Sequence, residues 1–282
     1  MTNYIFLNGR IIPVTEGSIS TEDRGFLYGD GIFETLRSYH GEPFKLAEHL
    51  ERMSSSAEKL KIIPAYTNAE ISESLTKLLA KNSVQDAYIR ITLSRGEGGS
   101  GLQMSDGLRS TILIQVKPFK PYDEKLYNEG MCLAVSGHRR STTSPICRHK
   151  TTNLLTSILL KEEAGSKSAH DSIVLNTDGY VAECIVSNIF MVADGSVITP
   201  SLDTNILPGI TRSTVLDICQ NSGIPARKEC FKIETLIKAK EVFITNSLME
   251  IMPVSKIEDN KIGKAVPGKI TQQLMSAYKG LI

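Results

Sequence analysis

The amino-acid sequence predicts an α+β protein of two domains. Strand and helix patterns alternate along the chain, and a segment with two prolines, residues 117–122, separates them into two groups. Proline fixes φ and lacks a backbone N–H, so this segment interrupts helices and strands and suits a linker. We predict an N-terminal α+β domain over residues 1–118, a linker over 119–128 and a C-terminal α/β domain over 129–282.

The N-terminal domain begins with a predicted β-hairpin over residues 4–14. Two apolar runs flank Asn8-Gly9, a dipeptide that provides the positive φ angles of a tight hairpin turn. Apolar residues at helical spacing and short apolar runs predict the other elements. These are helices at 45–60 and 71–80, and strands at 32–39, 87–94 and 110–116.

The C-terminal domain shows the same two patterns in a different order. Its clearest local signal is the turn Asn176-Thr177-Asp178-Gly179, which predicts a hairpin between residues 172–175 and a strand from residue 181 onward. The remaining predicted elements are strands at 131–136, 189–192, 197–198 and 241–245, and helices at 152–164 and 211–221.

Composition limits the kinds of partner that the protein can attract. The chain has 282 residues, with 32 Lys and Arg against 31 Asp and Glu and a formal charge of +1. This balance gives no field that would attract nucleic acid or an acidic membrane, so a small-molecule partner is expected. The five cysteines lack paired C-x-x-C spacing, and no run approaches the ~20 apolar residues of a membrane span. We expect reduced thiols, no metal site and a cytoplasmic location.

One lysine has a sequence context suited to covalent chemistry. Lys150 lies in Arg148-His149-Lys150-Thr151-Thr152, just ahead of a predicted helix. A lysine considered alone is most simply a solvated surface charge. Neighbouring cations and partial burial, however, favour the neutral amine, and only a neutral amine attacks an aldehyde. Lys150 is therefore a candidate for a covalent bond to a cofactor.

Several motifs follow one another in order along almost the whole chain. They are Tyr28-Gly29-Asp30-Gly31-Ile32-Phe33-Glu34-Thr35-Leu36-Arg37, His49-Leu50-Glu51-Arg52, Lys150 with Asn153, Glu183 with Ser187-Asn188-Ile189-Phe190, and Leu207-Pro208-Gly209-Ile210-Thr211-Arg212. Taken together and in this order, they resemble the motifs of the class IV aminotransferases. The resemblance implies a two-domain fold type IV enzyme, similar to D-amino acid aminotransferase. Such an enzyme binds pyridoxal phosphate between its two domains and works as a homodimer.

The resemblance also implies roles for individual residues. Lys150 matches the Schiff-base lysine, and Glu183 matches the carboxylate that keeps the pyridine nitrogen of the cofactor protonated. Spacing alone would instead place Glu183 on the outer face of an amphipathic strand. Arg52 matches the phosphate-binding arginine, and Ile210 and Thr211 match the pair whose N–H groups begin a helix at the phosphate. Alone, Arg52 would be a surface arginine and Thr211 an ordinary first-turn residue. The other expected cofactor contacts are Ser187, Asn188, Asn246 and Ser247, and the expected substrate contacts are Tyr28, Phe33, Arg37, Arg90 and Arg95.

Residue Thr35 distinguishes the branches of this family. Branched-chain aminotransferases have a motif similar to Phe-Glu-Gly-Ile-Arg at this place. Aminodeoxychorismate lyases have a motif similar to Phe-x-Thr-x-Arg. This chain has Phe33-Glu34-Thr35-Leu36-Arg37. In the lyase the hydroxyl is expected to help move a proton at the enolpyruvyl group, since it can both donate and accept. The structural alternative is a β-branched residue that suits a strand.

Further segments favour the lyase branch. Residues 94–101 resemble its Gly-rich loop, although Ser100 stands where the lyase often has a basic residue, and residues 245–254 resemble its Asn-(Ala/Ser)-Leu-Met run. Leu154 replaces a tyrosine usual in branched-chain enzymes, and the Arg-x-His carboxylate trap of D-amino acid enzymes is missing. We expect an aminodeoxychorismate lyase of folate synthesis. The alternatives are a branched-chain or broad amino-acid aminotransferase and a pyridoxal-phosphate-binding protein with little catalysis.

Overall fold

A computed structural model describes residues 3–98, 101–104 and 107–282. The chain divides into two units. Unit 1 comprises Met1–Lys120 and His149–Asn153, and unit 2 comprises Pro121–Arg148 and Leu154–Ile282. Helices and strands occur in both units, so the mixed α and β content expected from the sequence is confirmed.

Unit 1 is built on an antiparallel sheet. Its described strands are β1 (Tyr4–Leu7), β2 (Arg10–Pro13), β3 (Gly31–Tyr39), β4 (Glu42–Pro43), β5 (Ala87–Ser94) and β6 (Thr111–Pro118). They form one sheet in the order β2-β1-β6-β5-β3-β4. Its described helices are α1 (Arg24–Tyr28), α2 (Leu46–Lys59) and α3 (Asn68–Asn82).

The two faces of this sheet differ in burial. Along β5 buried and half-buried residues alternate, as expected for a strand with one covered face. Helices α2 and α3 cover that face through apolar residues such as Leu50 and Leu75. Because successive side chains of a strand alternate, Phe33, Thr35 and Arg37 of β3 point to the other face. We call it the Thr35 face, and it also carries Arg90 of β5, which pairs directly with Thr35.

Unit 2 contains a larger, mixed sheet. Its described strands are β7 (Met131–Arg140), β8 (Asp171–Asn176), β9 (Val181–Cys184), β10 (Asn188–Ala193), β11 (Ser196–Pro200), β12 (Ala226–Glu229), β13 (Glu241–Asn246), β14 (Glu250–Ile257) and β15 (Asn260–Lys261). The order is β12-β11-β10-β13-β14-β7-β8-β9, with β15 paired to β14. The described helices are α4 (Glu124–Glu129), α5 (Leu155–Ser166), α6 (Ile210–Asn221), α7 (Ile233–Leu236) and α8 (Lys269–Lys279).

Aromatic stacking marks the centre of the unit 2 core. Phe190 and Phe243 are direct cross-strand partners in β10 and β13, and their rings stack with centroids 4.8 Å apart. Both side chains are fully buried. Such pairs add to the stability that apolar burial provides, so they anchor the central strands that carry the candidate site of this unit.

Some elements differ from the sequence-based expectation. Helix α4 occupies the second half of the segment predicted as a linker, where Asp123 caps it and Leu126 and Tyr127 pack on the unit 2 core. Strand β7 continues past residue 136 to Arg140, and the sequence pattern did not predict β14 or α8. None of the helices in the described ranges has the length and apolar content of a membrane span.

Candidate active site

Lys150 lies on a short extended segment beside β3 in unit 1. Its carbonyl accepts a hydrogen bond from the Phe33 N–H at 2.8 Å, and Thr151 forms an antiparallel bridge with Ile32. The Lys150 Nζ lies 4.7 Å from the centroid of the Phe33 ring. Since Phe33 belongs to the Thr35 face, the segment brings the amine to that face of the sheet.

Two side chains that follow Lys150 fasten this segment to the loop before β3. Thr152 Oγ1 donates to the Gly29 carbonyl at 2.8 Å, and Asn153 Nδ2 donates to the same carbonyl at 2.9 Å. The Thr152 N–H also donates to the Gly31 carbonyl at 2.9 Å. Because these bonds hold the chain extended, α5 begins only at Leu155 and not at residue 152 as predicted.

A buried charged cluster lies on the covered face of the same sheet and consists of Glu34, His49 and Arg52. We call it the Glu34 cluster. Arg52 donates through Nε to Oε1 of Glu34 at 2.8 Å and through Nη2 to Oε2 at 2.6 Å. The His49 Nδ1 lies 2.7 Å from Oε2. An ionised carboxylate can only accept, so Nδ1 is the donor in this bond.

Opposing effects set the protonation of this cluster. Burial raises the pKa of Glu34, but the Arg52 charge and the hydrogen bonds from His49 and Arg52 outweigh burial and lower the pKa to about 2. Burial lowers the pKa of His49, and the charges of Arg52 and Lys150 lower it further, against the opposing effect of Glu34. At neutral pH the cluster therefore holds a carboxylate, a neutral imidazole and a guanidinium.

Two of the arginines expected at the substrate contact aromatic rings. The Arg90 guanidinium lies over Phe33, 3.8 Å from the ring centroid, and its Nε donates to Thr92 Oγ1 at 3.3 Å. The Arg37 guanidinium lies near two rings, 4.2 Å from the Tyr39 centroid and 3.9 Å from that of Phe119. Arg90 is thus the arginine that shares a ring with Lys150.

The third arginine, Arg95, is committed to structural bonds. Its Nε and Nη2 donate to the Asp30 carboxylate at 2.7 and 3.0 Å, and its Nη groups also donate to the carbonyls of Leu60 and Lys61. The side chain is only 10% exposed. These bonds argue against the expected contact of Arg95 with substrate and explain its position as a brace between loops of unit 1.

The remaining substrate-side expectations concern Tyr28 and the Gly-rich loop. Tyr28 ends α1 and is 37% exposed, with the Arg24 guanidinium 4.9 Å from its ring centroid. Gly96 has a φ of +94°, and a Cβ there would lie 1.8 Å from the Arg109 carbonyl oxygen, so the backbone itself requires this glycine. Ser100, the position that departs from the lyase pattern, lies outside the described residues.

In unit 2, Glu183 of β9 is the centre of a hydrogen-bond network. Arg140 donates to its Oε1, while the Asn188 side chain and the Leu207 N–H donate to its Oε2 at 2.9 and 3.2 Å. Asn188 Nδ2 also donates to the Leu207 carbonyl at 3.0 Å. Glu183 is 6% exposed, so the outward-facing alternative is wrong for this residue. Its negative charge is balanced by the Arg140 guanidinium.

The start of α6 provides backbone donors in the same unit. Ile210 and Thr211 are the first two residues of this 12-residue helix, and the N-cap Gly209 has no side chain that could bond their N–H groups. First-turn N–H groups have no acceptor within a helix and lie at the positive end of its dipole. This arrangement suits an anion such as phosphate.

A hydroxyl in unit 2, that of Thr245, is buried without a hydrogen-bond partner in the described residues. Thr245 pairs directly with Asn188 across β13 and β10, so the two side chains lie on the same face of the sheet. Thr245 Oγ1 is buried and has no hydrogen-bond partner within the described part of the chain. A buried hydroxyl without a partner is unfavourable, and a phosphate oxygen or another ligand acceptor would satisfy it.

Three other expected cofactor contacts lie at the ends of strands or in the connections between them. Ser187 Oγ donates to Asp171 Oδ2 at 3.2 Å. Asn246 Oδ1 accepts from the N–H groups of Leu248 and Met249, both at 2.9 Å, and so closes the connection between β13 and β14, in which Ser247 also lies. The side chains of Ser187 and Asn246 therefore have structural partners of their own.

Sequence analysis missed three residues that bond candidate residues within their own unit. Glu34 accepts hydrogen bonds from both His49 and Arg52 in the Glu34 cluster, and Arg140 donates to Glu183. Glu34 stands on a strand between buried apolar residues, which is a signal for a buried partner, because a buried carboxylate needs one. No local signal pairs Arg140 with Glu183, since 43 residues separate them.

Comparisons with known proteins identify the family. The chain matches the model for amino-transferase class IV over residues 31–257. It is 36% identical over 277 residues to the aminodeoxychorismate lyase of Bacillus subtilis (strain 168), and the alignment covers 98% of this chain and 93% of that relative. It is 31% identical over 279 residues to the D-alanine aminotransferase of Bacillus licheniformis, and the alignment covers 99% of this chain and 96% of that relative. The chain belongs to the class IV aminotransferase family.

Solved structures agree with this assignment. The branched-chain amino acid aminotransferase of Escherichia coli superposes with a TM-score of 0.95 at 28% identity, covering 100% of this chain and 95% of that one. The branched-chain aminotransferase of Thermoproteus uzoniensis, solved with norvaline, superposes with a TM-score of 0.91 at 31% identity. The superposition covers 99% of this chain and 94% of that one. The predicted fold type and enzyme class are confirmed. The family depends on pyridoxal phosphate, and the relatives that match this chain comprise a lyase and aminotransferases.

Proposed function

We propose that this protein is an aminodeoxychorismate lyase that converts 4-amino-4-deoxychorismate to 4-aminobenzoate and pyruvate in folate synthesis. The position of Thr35 carries the proposal. Thr35 lies on the same face of β3 as Phe33, whose ring contacts the Lys150 amine at 4.7 Å. The Thr35 hydroxyl therefore lies on the same face of the sheet as the ring that contacts the candidate catalytic amine, at the position where the branched-chain motif Phe-Glu-Gly-Ile-Arg has glycine.

In this proposal each residue has a defined role toward pyridoxal phosphate. Lys150 would attach the cofactor covalently, Arg52 and the N–H groups of Ile210 and Thr211 would bind its phosphate, and Glu183 would keep its pyridine nitrogen protonated. When bound, the cofactor supplies an electron sink for the negative charge that develops on the substrate carbon next to the amine. The buried Thr245 hydroxyl and the uncapped start of α6 support a phosphate-bearing ligand.

The chain's own residues move the protons of the reaction. The Lys150 amine removes the proton from the ring carbon that carries the substrate amine, and the C–O bond to the enolpyruvyl group then breaks. The Thr35 hydroxyl donates a proton to the departing enolpyruvyl group, which leaves as pyruvate, and the ring becomes aromatic. The ring carbon loses one proton to Lys150 and the departing group gains one proton from Thr35, so the reaction consumes no co-reactant.

Arg90 is the preferred ligand for a substrate carboxylate. It is the direct cross-strand partner of Thr35 and stacks on Phe33, the ring that also contacts Lys150. Guanidinium groups bind carboxylates through two parallel hydrogen bonds. Arg37 is a second candidate on the Thr35 face, and Phe33 and Tyr28 are the proposed apolar contacts of the substrate.

A branched-chain or broad amino-acid aminotransferase is the second candidate function. The TM-score of 0.95 with the Escherichia coli branched-chain enzyme favours it. Such an enzyme would use the same cofactor residues and would need no hydroxyl at position 35. Membership of an enzyme family disfavours a binding protein with little catalysis.

Paired assays test the proposal. Purified protein is incubated with 4-amino-4-deoxychorismate, and 4-aminobenzoate is measured beside keto-acid formation from isoleucine and 2-oxoglutarate. We expect 4-aminobenzoate to form faster than background and faster than the transamination product. The Lys150→Ala variant is the matched blank. Rapid transamination without 4-aminobenzoate would replace the lyase with the second candidate.

We also propose that the protein is a cytoplasmic homodimer. Leu155, Ile158 and Leu159 lie three and four residues apart on α5, so they form one stripe, and they are 70%, 58% and 62% exposed. A contiguous apolar stripe in water favours association. The five cysteines are all described and all free, which supports a reducing compartment.

A further inference from the structure

We propose that Glu34 is a positioning residue that orients the Arg52 guanidinium for the phosphate of the cofactor. The inference rests on the proposed function, in which Arg52 binds that phosphate. By its charge alone the buried Glu34 carboxylate would repel the phosphate, but by holding Arg52 in place it would strengthen phosphate binding.

The geometry of the Glu34 cluster fixes the plane of the guanidinium. Nε and Nη2 of Arg52 each donate to a different oxygen of Glu34, at 2.8 and 2.6 Å, so the two groups form a bidentate pair. His49 bonds Oε2 as well, at 2.7 Å, and prevents the carboxylate from rotating. Glu34 and His49 are each 1% exposed, and the Arg52 side chain is 10% exposed.

An arginine side chain needs such a brace because it has many rotamers. Ordering a long side chain at the moment of binding costs conformational entropy, and a side chain that is already ordered avoids that cost. The bidentate pair orders Arg52 before any ligand arrives. The positive charge of Lys150, which helps to lower the pKa of His49, shows that the cluster lies within electrostatic reach of the residue proposed to attach the cofactor.

Charge and positioning predict opposite results when Glu34 is neutralised. If Glu34 acted only through its negative charge, Glu34→Gln would remove a repulsion and pyridoxal phosphate would bind more tightly. If Glu34 acts by holding Arg52, the same variant loses the bidentate pair, because a glutamine side chain offers one acceptor and one donor. Pyridoxal phosphate would then bind more weakly, while pyridoxal, which lacks the phosphate, would bind as before.

The experiment compares the dissociation constants of pyridoxal phosphate and pyridoxal for the full-length protein. Their ratio measures the contribution of the phosphate. For Glu34→Gln we expect the preference for pyridoxal phosphate to fall about 10-fold, with the constant for pyridoxal unchanged. Arg52→Gln should lower the preference at least as far, and the double variant should fall no further than Arg52→Gln, because the two residues act as one unit.

Two further variants keep the test decisive. Glu34→Asp retains the charge but shortens the side chain, so it should also lower the preference, and it serves if Glu34→Gln fails to fold. Ile71→Val, in the α3 core of unit 1, controls for a loss of stability and should leave the preference unchanged.

The outcomes separate the inference from the proposed function. An unchanged or increased preference in Glu34→Gln, together with a reduced preference in Arg52→Gln, overturns the positioning role alone. A wild-type protein that binds pyridoxal and pyridoxal phosphate equally overturns the role of Arg52 and the inference with it. A wild-type protein that binds neither compound overturns the proposed function.

Discussion

Arg140 donates a hydrogen bond to Oε1 of Glu183, so the carboxylate assigned to the pyridine nitrogen already has a cationic partner in its own unit. Its second oxygen accepts bonds from Asn188 and from the Leu207 N–H. These three donors fix the plane of the carboxylate and balance its charge. The arrangement indicates a carboxylate whose orientation is set before a ligand binds, which is what a site for a protonated ring nitrogen requires.

Glu183→Gln tests this role directly. The amide is nearly the same size and keeps one acceptor, so we expect folding and cofactor binding to persist. A neutral amide cannot keep the pyridine nitrogen protonated, so turnover should fall by about 10²–10⁴-fold, the range for a positioned acid–base group. The measurement is the rate of 4-aminobenzoate release at saturating pyridoxal phosphate. Glu241→Gln, which alters a carboxylate that caps α8 in the same unit, is the matched control. Unchanged turnover in Glu183→Gln would exclude the role.

Local signals predicted much of the fold. Asn8 and Gly9 have φ angles of 47° and 89°, as the hairpin turn between β1 and β2 requires, and β5 has the predicted bounds 87–94. Both features depend on neighbouring residues, which a sequence displays directly. The Asn246 turn is equally local, because its side chain bonds backbone two and three residues ahead, and it could have been recognised as a turn former.

The parts of the site that were missed depend on distant residues. Glu34 bonds Arg52, 18 residues away, and Arg95 bonds Asp30, 65 residues away. Helical spacing and strand alternation give no register between such positions. The sequence thus identified Arg95 as a charged residue near a Gly-rich loop, and only the fold shows that its guanidinium is used to hold Asp30 and two carbonyls.

Lys150→Ala should abolish the visible absorbance of the purified protein and leave the fold intact. The reason is that Lys150 is the residue proposed to attach pyridoxal phosphate, and its loss leaves no amine on the segment beside β3. The measurements are the absorbance spectrum, the circular dichroism spectrum and peptide mapping after borohydride reduction of the wild type. A reduced cofactor found on another lysine would show that the assignment is wrong.

The stability of the protein should depend on Glu34 in acid. Its pKa in the folded protein, about 2, lies below the ordinary value of 4.5, so it stabilises the fold above pH 4.5 and this contribution is lost as the pH falls toward 2. The contribution is on the order of 3 kcal/mol. In urea titrations at several pH values between 5 and 2, the free energy of unfolding should therefore decrease less steeply in Glu34→Gln than in the wild type. Equal slopes would show that Glu34 is not the group responsible.

The exposed stripe on α5 predicts a dimer. Wild-type protein should elute at twice the chain mass of 31.0 kDa, and Leu159→Glu should shift it toward the monomer, because a charge would be buried at the interface. Lys228→Glu introduces the same side chain on the exposed strand β12 and should leave the mass unchanged. Light scattering coupled to size exclusion measures all three. A monomeric wild type would remove the homodimer from the proposal.

The hydroxyl of Thr35 should matter for the lyase reaction and not for transamination. Thr35→Val keeps the β-branched shape that suits β3 and removes only the hydroxyl, so 4-aminobenzoate release should fall by about 10²–10⁴-fold while cofactor binding is unchanged. Thr35→Ser restores a hydroxyl and should recover most of the rate. Any side transamination of small amino acids should survive in Thr35→Val, because Lys150 alone moves the proton in that reaction. Both rates are measured on the wild type and the two variants. An equal loss of both rates in Thr35→Val would mean that Thr35 only shapes the pocket. If Thr35→Ser were as slow as Thr35→Val, the shape of the side chain and not the hydroxyl would set the rate.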